Sequence, residues 1–171
     1  MLIGFSTGGT LALKLAAENP EQVQAVIGVS VPVKFVDKAF TFVPLLHGTN
    51  KLLNWVSSME GVKPFVENEQ EHKAINYRSV PVKSLYELRR LIVDVEPQLS
   101  EIQIPTLIIY ADADPVVQAE SAEIVFKALT TKHKKLKAIN ADRHGILMEN
   151  IGETWAFIDK FLHKHVLGKH A

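Results

Sequence analysis

The sequence predicts an α/β fold, a parallel sheet with flanking helices, and three observations carry that prediction. Short apolar runs rich in β-branched residues, at 23–31 and 106–110, read as buried parallel strands. Helical patterns alternate with them, as parallel crossovers require. Residues able to do chemistry stand directly after the strands, beyond whose carboxyl ends parallel sheets place their functional groups.

In chain order, the apolar stub Met1-Leu2-Ile3 leads into Gly4-Phe5-Ser6-Thr7-Gly8-Gly9. Strand, G-x-S-x-G, helix is the context of a nucleophile elbow, in which a serine sits on a sharp, strained turn. Gly4 and Gly8 are expected to allow close strand–helix packing and to tolerate positive φ. A helix over 10–18 follows, carrying Leu11, Leu13, Leu15, Ala16 and Ala17, and Asn19-Pro20 ends it. Pro32 closes the strand at 23–31. Residues 32–104 are different in character. Phe35, Phe40, Phe42, Leu45, Leu46, Leu52, Leu53, Trp55 and Val56 crowd the first half, and a charged stretch spans 67–73. Ser84-Leu85-Tyr86-Glu87 has capping-box form, with Ser84 as N-cap and Glu87 at N3. Leu85, Leu88, Leu91, Ile92 and Val95 then form one apolar helical face, which Pro97 ends. Strand–helix alternation resumes with the strand at 106–110. A helix face of Ala122, Val125, Phe126 and Leu129 follows, then a short strand at 136–139, then a last helix striped by Trp155, Ile158, Leu162 and Val166. The organisation expected is a core piece at 1–31, a cap or lid insertion at 32–104, and a C-terminal core piece at 105–171.

Composition narrows the function classes. Nineteen basic residues balance nineteen acidic ones, against the basic excess that nucleic-acid binding demands. The one basic cluster, Lys132-His133-Lys134-Lys135 with Lys137, reads as a solvated loop. The chain has no cysteine, which excludes disulfides, thiolate metal sites and cysteine nucleophiles. No apolar run approaches the roughly 20 residues that span a bilayer. The N-terminus does not have the form of a signal peptide, and cytoplasm is the default location. His163 and His165, two apart on a helix, make a poor metal pair.

Ser6, Asp114 and His144 each follow an apolar strand, so all three can converge on one rim. Their order along the chain, Ser…Asp…His, is that of the α/β-hydrolases. Taken singly, Asp114-Pro115 also reads as a turn and His144-Gly145 as a loop end. Jointly, at the ends of successive strands, they point to nucleophilic catalysis.

On these residues the chain resembles the C-terminal part of an α/β-hydrolase fold with a helical cap insertion. The resemblance is closest to bacterial carboxylesterases and monoacylglycerol-lipase-like enzymes, and it covers nearly the whole chain. Residues 4–9 look like the family's elbow. Residues 105–110, with Asp112-Ala113-Asp114-Pro115-Val116-Val117, look like its acid-bearing strand and loop, and Arg143-His144-Gly145-Ile146-Leu147 like its histidine loop. Ile75-Asn76-Tyr77-Arg78 and the helix after Ser84 resemble the cap, more softly. The resemblance implies hydrolysis of carboxylic esters of short to medium acyl chain. Ser6 would be the nucleophile, His144 the base and Asp114 the acid, with Asp112 as the fallback. The Thr7 N–H would form half of the oxyanion hole. Phe5, Phe35 and Trp55 are the candidates to contact substrate, and no metal or organic cofactor is required. The superfamily is broad, so acyltransferase, C–C hydrolase or peptidase chemistry is the alternative, as is a non-catalytic interaction module. In this family the second oxyanion donor lies upstream of the elbow, and losing such a donor costs about 2.7–4 kcal/mol. Because Ser6 stands so near Met1, the chain is expected to be a fragment. Its partners would then be a missing N-terminal segment, or a second copy through an exposed sheet edge.

Overall fold

In the computed structural model, four strands form one parallel sheet: β1 (Leu2–Phe5), β2 (Val26–Val29), β5 (Thr106–Ala111) and β6 (Lys134–Ile139), hydrogen-bonded in that order. The structure describes residues 1–37, 43–44, 47, 65–67 and 79–169. The chain divides into two compact units. One joins Met1–Val36 to Leu91–Ala171 and holds the sheet; the other is Asp37–Arg90. Within the second, β3 (Phe65–Glu67) pairs antiparallel with β4 (Ser79–Pro81), a hairpin that sequence patterning did not announce. Phe40, Phe42, Leu45, Leu46, Leu52, Leu53, Trp55 and residues 75–78 lie outside the described residues.

Burial explains the two central strands. Every residue of β2 is buried, and so is every residue of β5 except Tyr110. A strand covered on both faces needs no polar alternation. Val26 and Ile108 face a core shared with Leu13, Ala16, Leu99 and Val125. Ile27, Val29, Leu107 and Ile109 face a second core with Ile146, Ile158 and Phe161. Helices α1 (Thr7–Glu18) and α3 (Glu120–Ala128), with the end of α2 (Val82–Val95), cover the first face, and α4 (Thr154–His165) the second. The parallel sheet with flanking helices is thus the predicted α/β class.

Several local expectations need correction. Helix α1 begins at Thr7, directly after the elbow serine, and not at residue 10. Helix α2 begins at Val82, so Ser84 lies inside its first turn and is not its N-cap. In α4 Ile158, Leu162 and Val166 pack on the second core as expected, Val166 from just past the helix, but buried Phe161 joins them and Trp155 is 47% exposed. The basic cluster is a solvated loop only in part: Lys132 and His133 are exposed and precede the strand. Lys134, Lys135 and Lys137 belong to β6, an edge strand among the described residues, where lysines guard against strand addition. The Lys134 ammonium donates to the carbonyls of Phe126 (2.9 Å) and Leu129 (2.7 Å) at the end of α3. It satisfies acceptors that the helix leaves open and opposes the negative end of its dipole.

One buried group is poorly matched to its surroundings. Thr10 is 3% exposed, and its hydroxyl has no hydrogen-bond partner among the described residues. It borders a cavity of about 10 Å³ shared with Leu13, Val31, Val95 and Leu99. An orphaned buried hydroxyl costs about 1–3 kcal/mol. Thr10→Val keeps the shape and removes the orphan, so thermal denaturation of that variant should show a gain of about 1 kcal/mol.

Candidate active site

Ser6 leaves β1 through a turn in an unusual backbone state, φ 52° and ψ −124°. Its N–H donates to the Val29 carbonyl at 2.8 Å, the last rung between β1 and β2. Its own carbonyl accepts from Gly9 N (2.8 Å) and Thr10 N (3.2 Å), starting α1 at once. A non-glycine residue with positive φ is strained by about 1–3 kcal/mol and persists only where its surroundings over-determine it. The glycines act differently from expectation. Positive φ falls on Ser6, and neither Gly4 nor Gly8 adopts it. A Cβ at Gly4 would stand 2.1 Å from the Gly8 carbonyl oxygen, and one at Gly9 would stand 2.8 Å from Val31 Cγ2. A Cβ at Gly8 would meet nothing within 4 Å. Close packing of strand and helix therefore rests on Gly4 and Gly9.

Asp114 and His144 sit on loops that leave the neighbouring strands at the same rim. Asp114 is 7% exposed, and its Oδ1 accepts from the N–H groups of Val116 (2.8 Å) and Val117 (3.0 Å). That is the turn suggested by Asp-Pro. Its other oxygen, Oδ2, lies 2.8 Å from His144 Nδ1, so turn and partner roles are shared between the two oxygens of one carboxylate. His144 Nε2 lies 2.9 Å from Ser6 Oγ. The three side chains predicted to converge do so, across 138 residues of chain. Asp112 takes the loop role: its Oδ1 accepts from Ala141 N at 3.0 Å, tying the acid loop to the segment that leads to His144.

The rest of the surroundings constrains these loops. The Phe5 ring is tilted against the His144 imidazole, centroids 4.9 Å apart. Phe35 forms an antiparallel bridge with Val117, and its carbonyl accepts from the Gln118 side chain at 2.8 Å. The segment containing Phe35 thus runs along the acid loop. Thr7 is the first residue of α1, where a backbone N–H has no acceptor within the helix. Trp55 lies outside the described residues. His163 engages Asp159, whereas His165 packs on Phe161. One contact was missed. Ser30, the residue after β2, places its Oγ 3.3 Å from the His144 carbonyl. The hint in the sequence is a small polar residue near the end of an apolar strand.

A side-chain relay of this geometry, on strand ends of a parallel sheet, can generate an alkoxide-like nucleophile and return a proton to a leaving group. The same architecture recurs in known proteins. The chain is 28% identical over 141 residues to a thermostable monoacylglycerol lipase of Bacillus sp. (strain H-257), covering 82% of this chain and 53% of that protein. It is 26% identical over 146 residues to a carboxylesterase of Bacillus subtilis (strain 168), covering 85% and 56%. The chain therefore spans about half the length of the relatives it matches. In structure it resembles the monoacylglycerol lipase of Paleococcus ferrophilus, with a TM-score of 0.75 and 19% identity, covering 96% of this chain and 68% of that one; this likeness concerns the fold. The elbow, the acid loop and the histidine loop all fall within residues 1–151, the stretch that matches the α/β-hydrolase family described as serine aminopeptidase, S33, and the chain belongs to that family.

Proposed function

We propose that this chain carries the catalytic triad of a serine hydrolase that cleaves carboxylic esters of short to medium acyl chain. The observation that supports this best is the unbroken relay from Asp114 Oδ2 to His144 Nδ1 at 2.8 Å, and from His144 Nε2 to Ser6 Oγ at 2.9 Å. The serine holding that hydroxyl sits in a strained turn. Ser6 Oγ attacks the ester carbonyl carbon while its proton passes to His144 Nε2. The resulting oxyanion is stabilised by the N–H of Thr7, at the positive end of α1. The C–O bond to the alcohol then breaks, and Nε2 returns the proton to the departing oxygen. A water molecule repeats the sequence on the acyl-enzyme. Asp114 orients the imidazole and stabilises its cation.

The substrate class follows from chemistry and relatedness together. The relatives named as lipase and carboxylesterase favour an ester over the peptide bond in the family's description. Phe35 and the apolar residues of 32–104, Trp55 included, are proposed to form a cap that lines the acyl site. Phe5, whose ring packs against His144, is proposed to contact the substrate beside the base. The outer edge of β1 has no neighbouring strand among the described residues. It is proposed to pair with a strand from a longer form of the protein or from a second copy.

A chain-length series of p-nitrophenyl esters, run beside an aminoacyl amide, tests the assignment. Turnover should peak at short to medium acyl chains and be far lower on the amide; preference for the amide would overturn the ester reading. The two aspartates give a sharper contrast. Asp114→Asn should lower kcat about 10⁴-fold, because the imidazole is then held in the wrong tautomer. Asp112→Asn should cost much less, since its carboxylate meets a loop N–H and not the imidazole.

A further inference from the structure

The end of β2 repeats the geometry of the end of β1. Phe5 is in register with Val29, so Ser6 and Ser30 occupy the same rung of the sheet. Both adopt left-handed φ, 52° and 50°. Each donates its N–H to the next strand at 2.8 Å, Ser6 to Val29 and Ser30 to Ile109. Both hydroxyls also converge on one residue. Ser6 Oγ meets the imidazole of His144, and Ser30 Oγ meets its backbone carbonyl.

We infer that Ser30 is a positioning residue for His144. Backbone strain in a non-glycine residue calls for a reason, and for Ser6 the reason is presentation of the nucleophile. Ser30 is 1% exposed and cannot reach a substrate. Among the described residues, its side chain bears on the site through its hydrogen bond to His144. At 3.3 Å this bond is long for O–H···O. Its value therefore lies in location more than in strength. The His144 carbonyl also accepts from Ile146 N at 3.0 Å, and Ile146 is fully buried. The histidine loop is thus held from its own core anchor on one side and from the centre of the sheet on the other. Removing the second attachment lets the imidazole drift from Ser6. A displacement of about 1 Å in such a site can cost about 10²-fold in rate.

This inference rests on the serine-hydrolase reading, so its test separates the two. Ser30→Ala removes the hydroxyl and keeps the strain; Ser30→Gly removes the hydroxyl and relaxes the strain. Two quantities are measured on the whole chain: the second-order rate of Ser6 phosphonylation by a fluorophosphonate, and the downfield ¹H resonance of the His144 Nδ1 proton, assigned by its loss in His144→Ala. Both variants should label at least tenfold more slowly than the parent and shift or broaden the resonance, with melting transitions still cooperative. A role only in turning the chain predicts that Ser30→Gly labels normally. Labelling within twofold of the parent and an unmoved resonance in Ser30→Gly would overturn the inference while leaving the triad intact. A parent chain that neither labels nor shows the resonance would overturn the hydrolase reading, and the positioning role with it.

Discussion

Ser6→Ala should reduce ester turnover by roughly 10⁶-fold while leaving the thermal transition within a few degrees of the parent. The two halves of this expectation have separate causes. Chemistry is lost because the hydroxyl that meets His144 Nε2, at 2.9 Å, is removed. Stability is kept because alanine retains the Cβ and with it the strained turn, so only one part-buried hydrogen bond is lost, about 0.5–1.5 kcal/mol. His144→Ala should give a loss of similar size. The double variant should be scarcely worse than either single one, because residues that act as a unit are strongly non-additive. Additive losses, measured as kcat on one ester, would show that the two side chains do not share a step.

Gly4→Ala should be strongly destabilising, with the closest Cβ collision among Gly4, Gly8, Gly9, Gly28, Gly152 and Gly168. The added carbon would lie 2.1 Å from the Gly8 carbonyl oxygen, 2.5 Å from its carbon and 2.6 Å from Gly9 Cα. All three are backbone atoms at the start of α1, so no side-chain rotation relieves the clash. Either α1 moves off β1 and takes Ser6 with it, or the protein fails to fold. Overpacking in a tight core costs about 1–3 kcal/mol or more; a backbone collision at an already strained turn belongs at or above the upper end. Gly8→Ala is the matched control. Its Cβ would meet nothing within 4 Å, and alanine is favoured over glycine in a helix by up to about 1 kcal/mol. Denaturant titration of the two variants should therefore move in opposite directions. Equal loss in both would mean that the elbow needs glycine at position 8 for its backbone.

Much of the fold was legible because its central strands are buried on both faces. Val26 and Ile108 face one core while Ile27, Val29, Leu107 and Ile109 face the other, so both strands read as apolar runs without polar alternation. Strand β6 was legible only from residue 136 on. Lys134 and Lys135 look like loop residues until Lys134 is found on the carbonyls that end α3. The start of α2 was misplaced because Ser84 and Glu87 fit a local capping pattern, whereas the helix begins with buried Val82, straight after Pro81. Positional patterns rank possible helix starts; packing chooses among them.

The site was legible in part for a similar reason. Ser6, Asp114 and His144 are each marked by an adjacent strand and a turn residue, signals that are local. The choice between Asp112 and Asp114 rested on likeness alone, since two carboxylates two residues apart carry no label. Only the course of the loop turns one toward Ala141 N and the other toward His144. Ser30 left almost no local trace. Its contact depends on the register of β1 against β2 and on a loop 114 residues further along the chain.

Peptide mapping of the phosphonylated chain puts the central claim to its most direct trial. A fluorophosphonate should add one phosphonate group, on the peptide containing Ser6, and His144→Ala or prior denaturation should abolish it. An adduct on any other residue, or none on folded protein, would contradict the account.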